Sequence, residues 1–140
     1  MERSKEFDVV ERPKHYNSHP SGLEAIDICE HLSFNLGNAV KYLWRAGQKG
    51  DLIEDLEKAL WYIKREYELL DLEGEIGTSD NTGRSPAMTK LIVRVLMRKV
   101  IASDPESLLA EIFNDSIVLN WVHMVEREID IRKKERLKAP

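Results

Sequence analysis

The chain has 140 residues, 42% of them hydrophobic and 33% charged, which is the size and composition of one globular domain and excludes a disordered polymer. Its formal net charge is −4, which argues against a protein that coats nucleic acid through phosphate contacts. An anion site in such a chain has to be a local basic cluster.

Residues 1–20 carry Pro13, Pro20 and the turn formers Asn17, Ser18 and His19, and read as an extended arm. The opening "MERSKEFDVVERPK" is too charged for a secretory signal. "SGLEAIDICEHL" then starts with a capping box from Ser21 to Glu24, which predicts a first helix over about 22–32. The single cysteine, Cys29, lies in that helix and has no internal disulfide partner, so a reduced, cytoplasmic setting is expected. Ser33 or Asn35 caps a second helix to about Ala46, and Gly47 is a left-handed stop. Asp51, with Glu54 after it, opens a third helix whose pattern runs without Pro or Gly to Gly74, on the order of 30 Å.

"GEIGTSDNTGR" reads as a linker over 74–84. Ser85 and Pro86 start a fourth helix, "AMTKLIVRVLMRKVIA", apolar on most of its circumference. Asp104 and Pro105 repeat that cap-and-proline start for a last helical region, which either breaks near Asn114 or runs to about Lys138. No strand-like alternation or repeat is present. An all-α bundle of about five helices follows, with an arm (1–20), a three-helix unit (21–73), the linker and C-terminal helices (85–140) in a single domain. No apolar run approaches the ~18 residues of a membrane span, so no membrane partner is expected. A helix as apolar all round as the fourth predicts burial against another subunit, in a dyad-symmetric homodimer or homotetramer. The fourth and fifth helices lack the basic recognition helix of a helix-turn-helix, so no nucleic-acid partner is expected.

The helical faces sort the side chains. On helix 3, Leu52, Leu56, Ala59, Leu60, Ile63, Tyr67 and Leu70 share one arc, the expected core stripe. Asp55, Lys58 and Tyr62 lie together on a flank. On helix 2, Leu36, Ala39, Val40 and Leu43 face inward, and Asn38, Lys41, Tyr42 and Arg45 make a second, donor-rich side. If helices 2 and 3 form an antiparallel hairpin through "GQKGD", both polar flanks face one space.

Lysine offers a mobile charge, arginine a planar fork of donors and asparagine a neutral donor and acceptor, the mixture a phosphate accepts. A tyrosine beside them can stack on a base or sugar, and Lys49 in the following loop can close over such a ligand. The bland alternative is a solvated basic face. Glu24, Asp27 and His31 recur on one face of helix 1 at helical spacing. The two carboxylates can hold a magnesium ion through oxygen ligands, or orient Lys41 and Arg45 as ion pairs.

His15 and His19 flank "YNS" in the arm with no cysteine nearby, which is no zinc pattern, although His15 with Tyr16 can fold onto a ligand. His123 reads as a core or interface histidine. There is no Walker-type glycine loop, no dinucleotide fingerprint and no nucleophile beside a base, so covalent catalysis has no residues to carry it.

"RPKHYNSHPSGLEAIDICEHLSFNLGNAVKYLWRAGQKGDLIEDLEKALWYIKRE", residues 12–66, resembles a family of small proteins encoded by tailed phages and prophages and often described as nucleotide kinases. The family pattern places Pro-x-His-Tyr, Gly-Leu-Glu-x-Ile-Asp, Asn-x-x-Lys-Tyr-x-x-Arg and Glu-Asp-Leu-x-Lys-Ala-x-x-Tyr on this chain. The resemblance implies nucleotide or phosphate contacts from His15, Tyr16, Asn38, Lys41, Tyr42, Arg45, Lys49, Asp55, Lys58 and Tyr62, with Gly22, Gly47, Glu24 and Asp27 also matching. The arm departs from it, with Glu11-Arg12-Pro13 where many members have Asn-His-Pro, and residues 85–140 carry no motif. A looser likeness is to the all-α MazG-type nucleoside triphosphate pyrophosphatases, which have an aspartate where "EDLEKALWY" has Lys58. Lysine cannot ligate magnesium, so the substitution favours holding phosphate directly.

Three functions stay open: kinase-like phosphoryl transfer between (deoxy)nucleotides through positioning and charge stabilisation; sequestration of a cyclic or other nucleotide signal of antiphage immunity; and MazG-type hydrolysis. All three imply a nucleotide-derived small molecule as partner and, if the chain is phage-encoded, the host cytoplasm.

Overall fold

The computed structural model describes residue 10 and residues 19–70, 75–79 and 83–139. Within these residues the chain is all-α: α1 (Ala25–Cys29), α2 (Phe34–Arg45), α3 (Leu52–Leu69), α4 (Pro86–Ser103), α5 (Leu108–Phe113) and α6 (Val118–Lys138). No strand is present among them, only isolated bridges between Leu32 and Thr78 and between Glu75 and Ile117.

The first helix starts later than its sequence pattern suggests. Gly22 sits at φ 78°, a left-handed conformation that closes a turn by donating its N–H to the His19 carbonyl (3.1 Å) and cannot continue into a helix. The Ser21 hydroxyl is used in the same turn, accepting from the Leu23 amide at 3.2 Å. The capping box therefore moves to Glu24 and Asp27, whose Oδ2 accepts from the Glu24 amide at 2.8 Å. α1 ends at Cys29, so His31 leaves the face it was expected to share with those carboxylates. Its ring is buried at the α1–α2 corner, with Nε2 3.4 Å from Glu30.

Ser33 caps α2 by accepting from the Leu36 amide at 3.3 Å. α2 and α1 approach closely enough that a Cβ at Gly37 would lie 3.1 Å from the Cys29 carbonyl oxygen. Gly47 and Gly50 take positive φ in the turn (82° and 75°), and Asp51 caps α3 by accepting from the Ile53 and Glu54 amides at 2.8 and 3.2 Å. The reciprocal arm expected from Glu54 is replaced by an ion pair to Lys58. α2 and α3 pack along one another as the expected hairpin, with Leu36, Ala39, Val40, Leu43 and Trp44 of α2 buried.

The inward stripe of α3 is rotated from its expected position. Ile53, Leu56, Ala59 and Ile63 are buried together with the polar Asp55 and Glu66, while Tyr67 is 40% exposed. The rotation has a cause at the helix end. Segment 75–79, expected to be part of a free linker, passes over this corner: Ser33 N–H donates to the Gly77 carbonyl (2.9 Å), Ser79 N–H to the His31 carbonyl (3.0 Å) and Ile76 N–H to the Ser116 carbonyl (3.1 Å). A Cβ at Gly77 would collide with Glu66 Oε1, so the strap and the buried glutamate occupy one site. The remaining residues 71–74, where α3 was expected to continue, lie outside the described residues.

Ser85 and Pro86 start α4 as expected. The next start differs: Ser107, not Asp104, caps α5 by accepting from the Ala110 amide at 3.1 Å. The break at Asn114 is built around Asp115, which accepts from the Ile117 amide (2.8 Å) and from Asn120 (2.8 Å) while its carbonyl accepts the indole N–H of fully buried Trp121 (2.7 Å). α6 then runs back along α3, joined by Lys133–Glu57 (3.1 Å) and Arg136–Asp51 (3.0 Å) pairs. Its His123, expected in the core or at an interface, lies outside the core of this chain, 68% exposed beside Glu126, because Trp121, Val122 and Val125 are the residues turned inward. One apolar core joins all the helices. α4 buries Thr89, Val93, Met97 and Val100 and leaves Met88, Leu91 and Val95 on its outer side, each about half exposed. Among the described residues no helix is long and apolar enough to cross a membrane.

Candidate functional site

Tyr42 is the centre of the polar face of the hairpin. Lys41 and Arg45 belong to α2, one turn apart, and Lys58 stands on α3 across the hairpin. Lys41 Nζ lies 5.3 Å from the Tyr42 ring centroid, the Arg45 guanidinium carbon 4.8 Å and Lys58 Nζ 5.6 Å. Cations at this distance are attracted by the ring quadrupole, each by about 0.5–1 kcal/mol where exposed. Tyr62 of α3 stacks on Tyr42 with centroids 6.0 Å apart and an interplanar angle of 14°. Trp61 and Phe34 meet Tyr62 edge-on at 5.1 and 6.3 Å. Both are largely exposed, Trp61 at 62% and Phe34 at 77%, which leaves two aromatic surfaces facing out beside three cations.

The cations are not equivalent. Arg45 donates from Nε (3.2 Å) and Nη2 (2.9 Å) to the same oxygen of Asp55, a carboxylate only 3% exposed. That pair is locked in the hairpin interface and holds the guanidinium over Tyr42. The second Asp55 oxygen, Oδ2, is buried without a hydrogen-bond partner among the described residues. Lys58 Nζ is 2.9 Å from Glu54, a hydrogen bond that raises the pKa of the exposed ammonium and keeps it charged. Lys41 makes no ion pair among the described residues. It lies beside Cys29, whose thiol burial pushes up to about 12, with the Lys41 charge a smaller, opposing influence. Such a thiol is protonated at neutral pH and is no nucleophile. A groove of about 230 Å³ opens next to Lys41, with Ile26, Phe34 and Asn38 on its walls. Asn38 donates one amide hydrogen to the Phe34 carbonyl at 2.8 Å, which fixes its orientation at the groove.

Seven of the expected site residues are thus brought to one face: Asn38, Lys41, Tyr42, Arg45, Asp55, Lys58 and Tyr62. Lys49 is exposed in the turn and is not one of the cations over Tyr42. His15 and Tyr16 lie outside the described residues. Glu24 and Asp27 form the α1 capping pair, and among the described residues no group of three or more His, Cys, Asp or Glu side chains converges as a metal site would require. Phe34 and Trp61 were missed in the sequence. Trp61 was legible as an aromatic between Leu60 and Tyr62 on a turn whose inward positions were already filled by Ala59 and Ile63.

Residues 10–64 match the profile of a family described as a protein of unknown function, DUF3310. The matched span contains every cation and aromatic of the cluster and ends before the strap and α4. No curated protein and no solved structure matches the chain.

Proposed function

We propose that the α2–α3 face binds a nucleotide through its phosphate and base, with Lys41, Lys58 and Arg45 receiving the phosphate and Phe34, Trp61 or Tyr62 stacking the base. The observation that carries this reading is the convergence of three cations from two helices on one tyrosine ring, beside two exposed aromatics. In a chain of net charge −4 such a concentration of positive charge is local, and aromatic faces are worth about 1–3 kcal/mol per stacked base. Lys41 makes first contact, because Arg45 and Lys58 already have carboxylate partners.

Sequestration is favoured over phosphoryl transfer. A transfer site has to hold two nucleotides in line and exclude water, whereas the cluster is a shelf beside an open groove. Hydrolysis of the MazG type has the weakest support: Lys58 occupies the position a metal-binding aspartate takes there and engages Glu54. The outer stripe of α4, Met88, Leu91 and Val95, supports self-association as a dimer or tetramer.

The full chain is incubated with nucleoside mono- and triphosphates and with cyclic dinucleotides, and retained and released nucleotides are separated by chromatography. Retention of an unaltered nucleotide, lost in Lys41→Gln, is the expected result. Conversion of monophosphate plus triphosphate into two diphosphates would replace sequestration by transfer. Retention of none of these nucleotides would end the nucleotide reading altogether.

A further inference from the structure

In a chain of net charge −4, the helix α4 contains Lys90, Arg94, Arg98 and Lys99 and no Asp or Glu. Its buried residues, Thr89, Val93, Met97 and Val100, share one side, and the helix packs there against α1 and α5. At 3.6 residues per turn the side diametrically opposite carries Leu91, Val95 and Ala102 within about 40° of one another, with Met88 next to them. All four are exposed, and they form a row on the order of 20 Å long, one side chain wide. Arg94 and Arg98 border the row on one side and Lys99 on the other. These three are exposed and make no ion pair among the described residues, whereas Lys90, nearer the buried side, lies 3.7 Å from Glu75. The family span ends at residue 64, so this face belongs to the part of the chain outside it.

We propose that the outer face of α4 docks an amphipathic helix of another protein, one that presents an apolar row between two lines of Asp or Glu. Charge complementarity decides the occupant. The partner's apolar side chains lie over Leu91 and Val95 and into the low ground at Ala102. Its carboxylates meet Arg94 and Arg98 on one side and Lys99 on the other, the arrangement by which paired helices choose partner and orientation. Self-association over the same row sets Arg94, Arg98 and Lys99 against their own copies with no carboxylate on α4 to answer them, so an acidic helix displaces the second copy. A lipid surface fits less well, because a membrane-lying helix presents a broad apolar face rich in Trp, Phe and Leu, and this row is narrow and holds no aromatic residue. Nucleic acid pairs with the cations through its phosphates but leaves the apolar row without a partner.

The test uses the isotopically labelled full chain and two designed helical peptides of 18 residues, the length of α4. Each has a leucine row, flanked by glutamates in the first and by lysines in the second. Backbone amide shifts are followed by nuclear magnetic resonance. The glutamate peptide is expected to move the amides of α4 and leave those of α2 and α3 in place. The lysine peptide binds at least about ten-fold more weakly, the loss of three rim ion pairs. Leu91→Ser weakens the glutamate peptide about three- to ten-fold, as expected for a leucine that is half covered on docking. Arg94→Glu with Arg98→Glu inverts the preference, so that the lysine peptide binds in place of the glutamate peptide. The proposal is overturned if neither peptide binds, if the two bind equally, if the shifts fall on α2 and α3, or if the charge reversal leaves the preference unchanged. Phosphatidylserine vesicles or single-stranded DNA moving the α4 amides as strongly as the glutamate peptide would replace the acidic helix by that surface. A self-associated species that persists in sedimentation at saturating glutamate peptide, with the α4 amides unmoved, would leave the face to a second copy.

Discussion

Arg45 and Asp55 allow an asymmetric prediction. In Arg45→Ala the Asp55 carboxylate keeps its burial, 3% exposed, and loses the donors to Oδ1 while Oδ2 already has none. A buried charge stripped of its partner costs about 3–5 kcal/mol. In Asp55→Ala the guanidinium that remains is 17% exposed and reaches water by a small rotation, so the cost is about 1–3 kcal/mol, nearer that of a lost charged hydrogen bond. Removing both partners leaves no stranded charge, so Arg45→Ala with Asp55→Ala is expected to be more stable than Arg45→Ala alone. Urea unfolding of the four proteins closes a double-mutant cycle, with a coupling of about 1–3 kcal/mol. Equal losses in the two single variants, or a double variant at the sum of both, would show that the carboxylate is hydrated and that the pair does not hold the hairpin.

The same half-satisfied carboxylate bears on function. Replacing such a pair by apolar groups of similar size is often neutral or stabilising. Arg45→Met with Asp55→Leu therefore separates architecture from ligand binding: the fold persists, and any nucleotide affinity that depends on the guanidinium is lost. Arg45→Ala on its own confuses the two effects.

Lys41→Gln is expected to cost no more than the about 0.5–1 kcal/mol of its contact with the Tyr42 ring in urea unfolding, since Lys41 makes no ion pair among the described residues, while weakening nucleotide retention. Gly77→Ala places a methyl group against Glu66 Oε1 and 3.3 Å from the Ser33 side chain, so destabilisation of about 1–3 kcal/mol is expected in the same assay. Burial lowers the His19 pKa below about 6.5, so between that value and the depressed one the unfolded chain binds the proton first. Stability from this group is present above about pH 6.5 and falls as the pH drops through that window, and the fall should be absent in His19→Gln. Leu91→Glu, placing charge on the outer α4 stripe, is expected to shift sedimentation to a smaller species if the chain self-associates, with no change if it is monomeric.

What could be read from the sequence and what could not divide by range. Ser33, Asp51 and Ser85 cap their helices within three residues of themselves, and each was legible because a cap is a local hydrogen bond. The donor-rich side of α2 followed from the 3.6-residue period, and Tyr42, Lys58 and Tyr62 met because six residues of turn leave the hairpin little choice of partner. The failures are contacts between distant segments. Ser21 has the residue type of a cap, but Gly22 and His19 draw it into a turn. Segment 75–79 has the composition of a linker, yet its Ser79 amide donates to the His31 carbonyl and its Gly77 carbonyl accepts from the Ser33 amide, partners more than 40 residues away in sequence. Glu66 is buried because the strap lies on it, and no helical wheel of α3 alone contains that strap. Nor does residue type reveal that Arg45 is shared with Asp55 and Lys58 with Glu54, so that of the three cations around Tyr42, Lys41 alone makes no ion pair among the described residues. The distinction decides which side chain a ligand meets first, and it exists only once α2 and α3 are packed together.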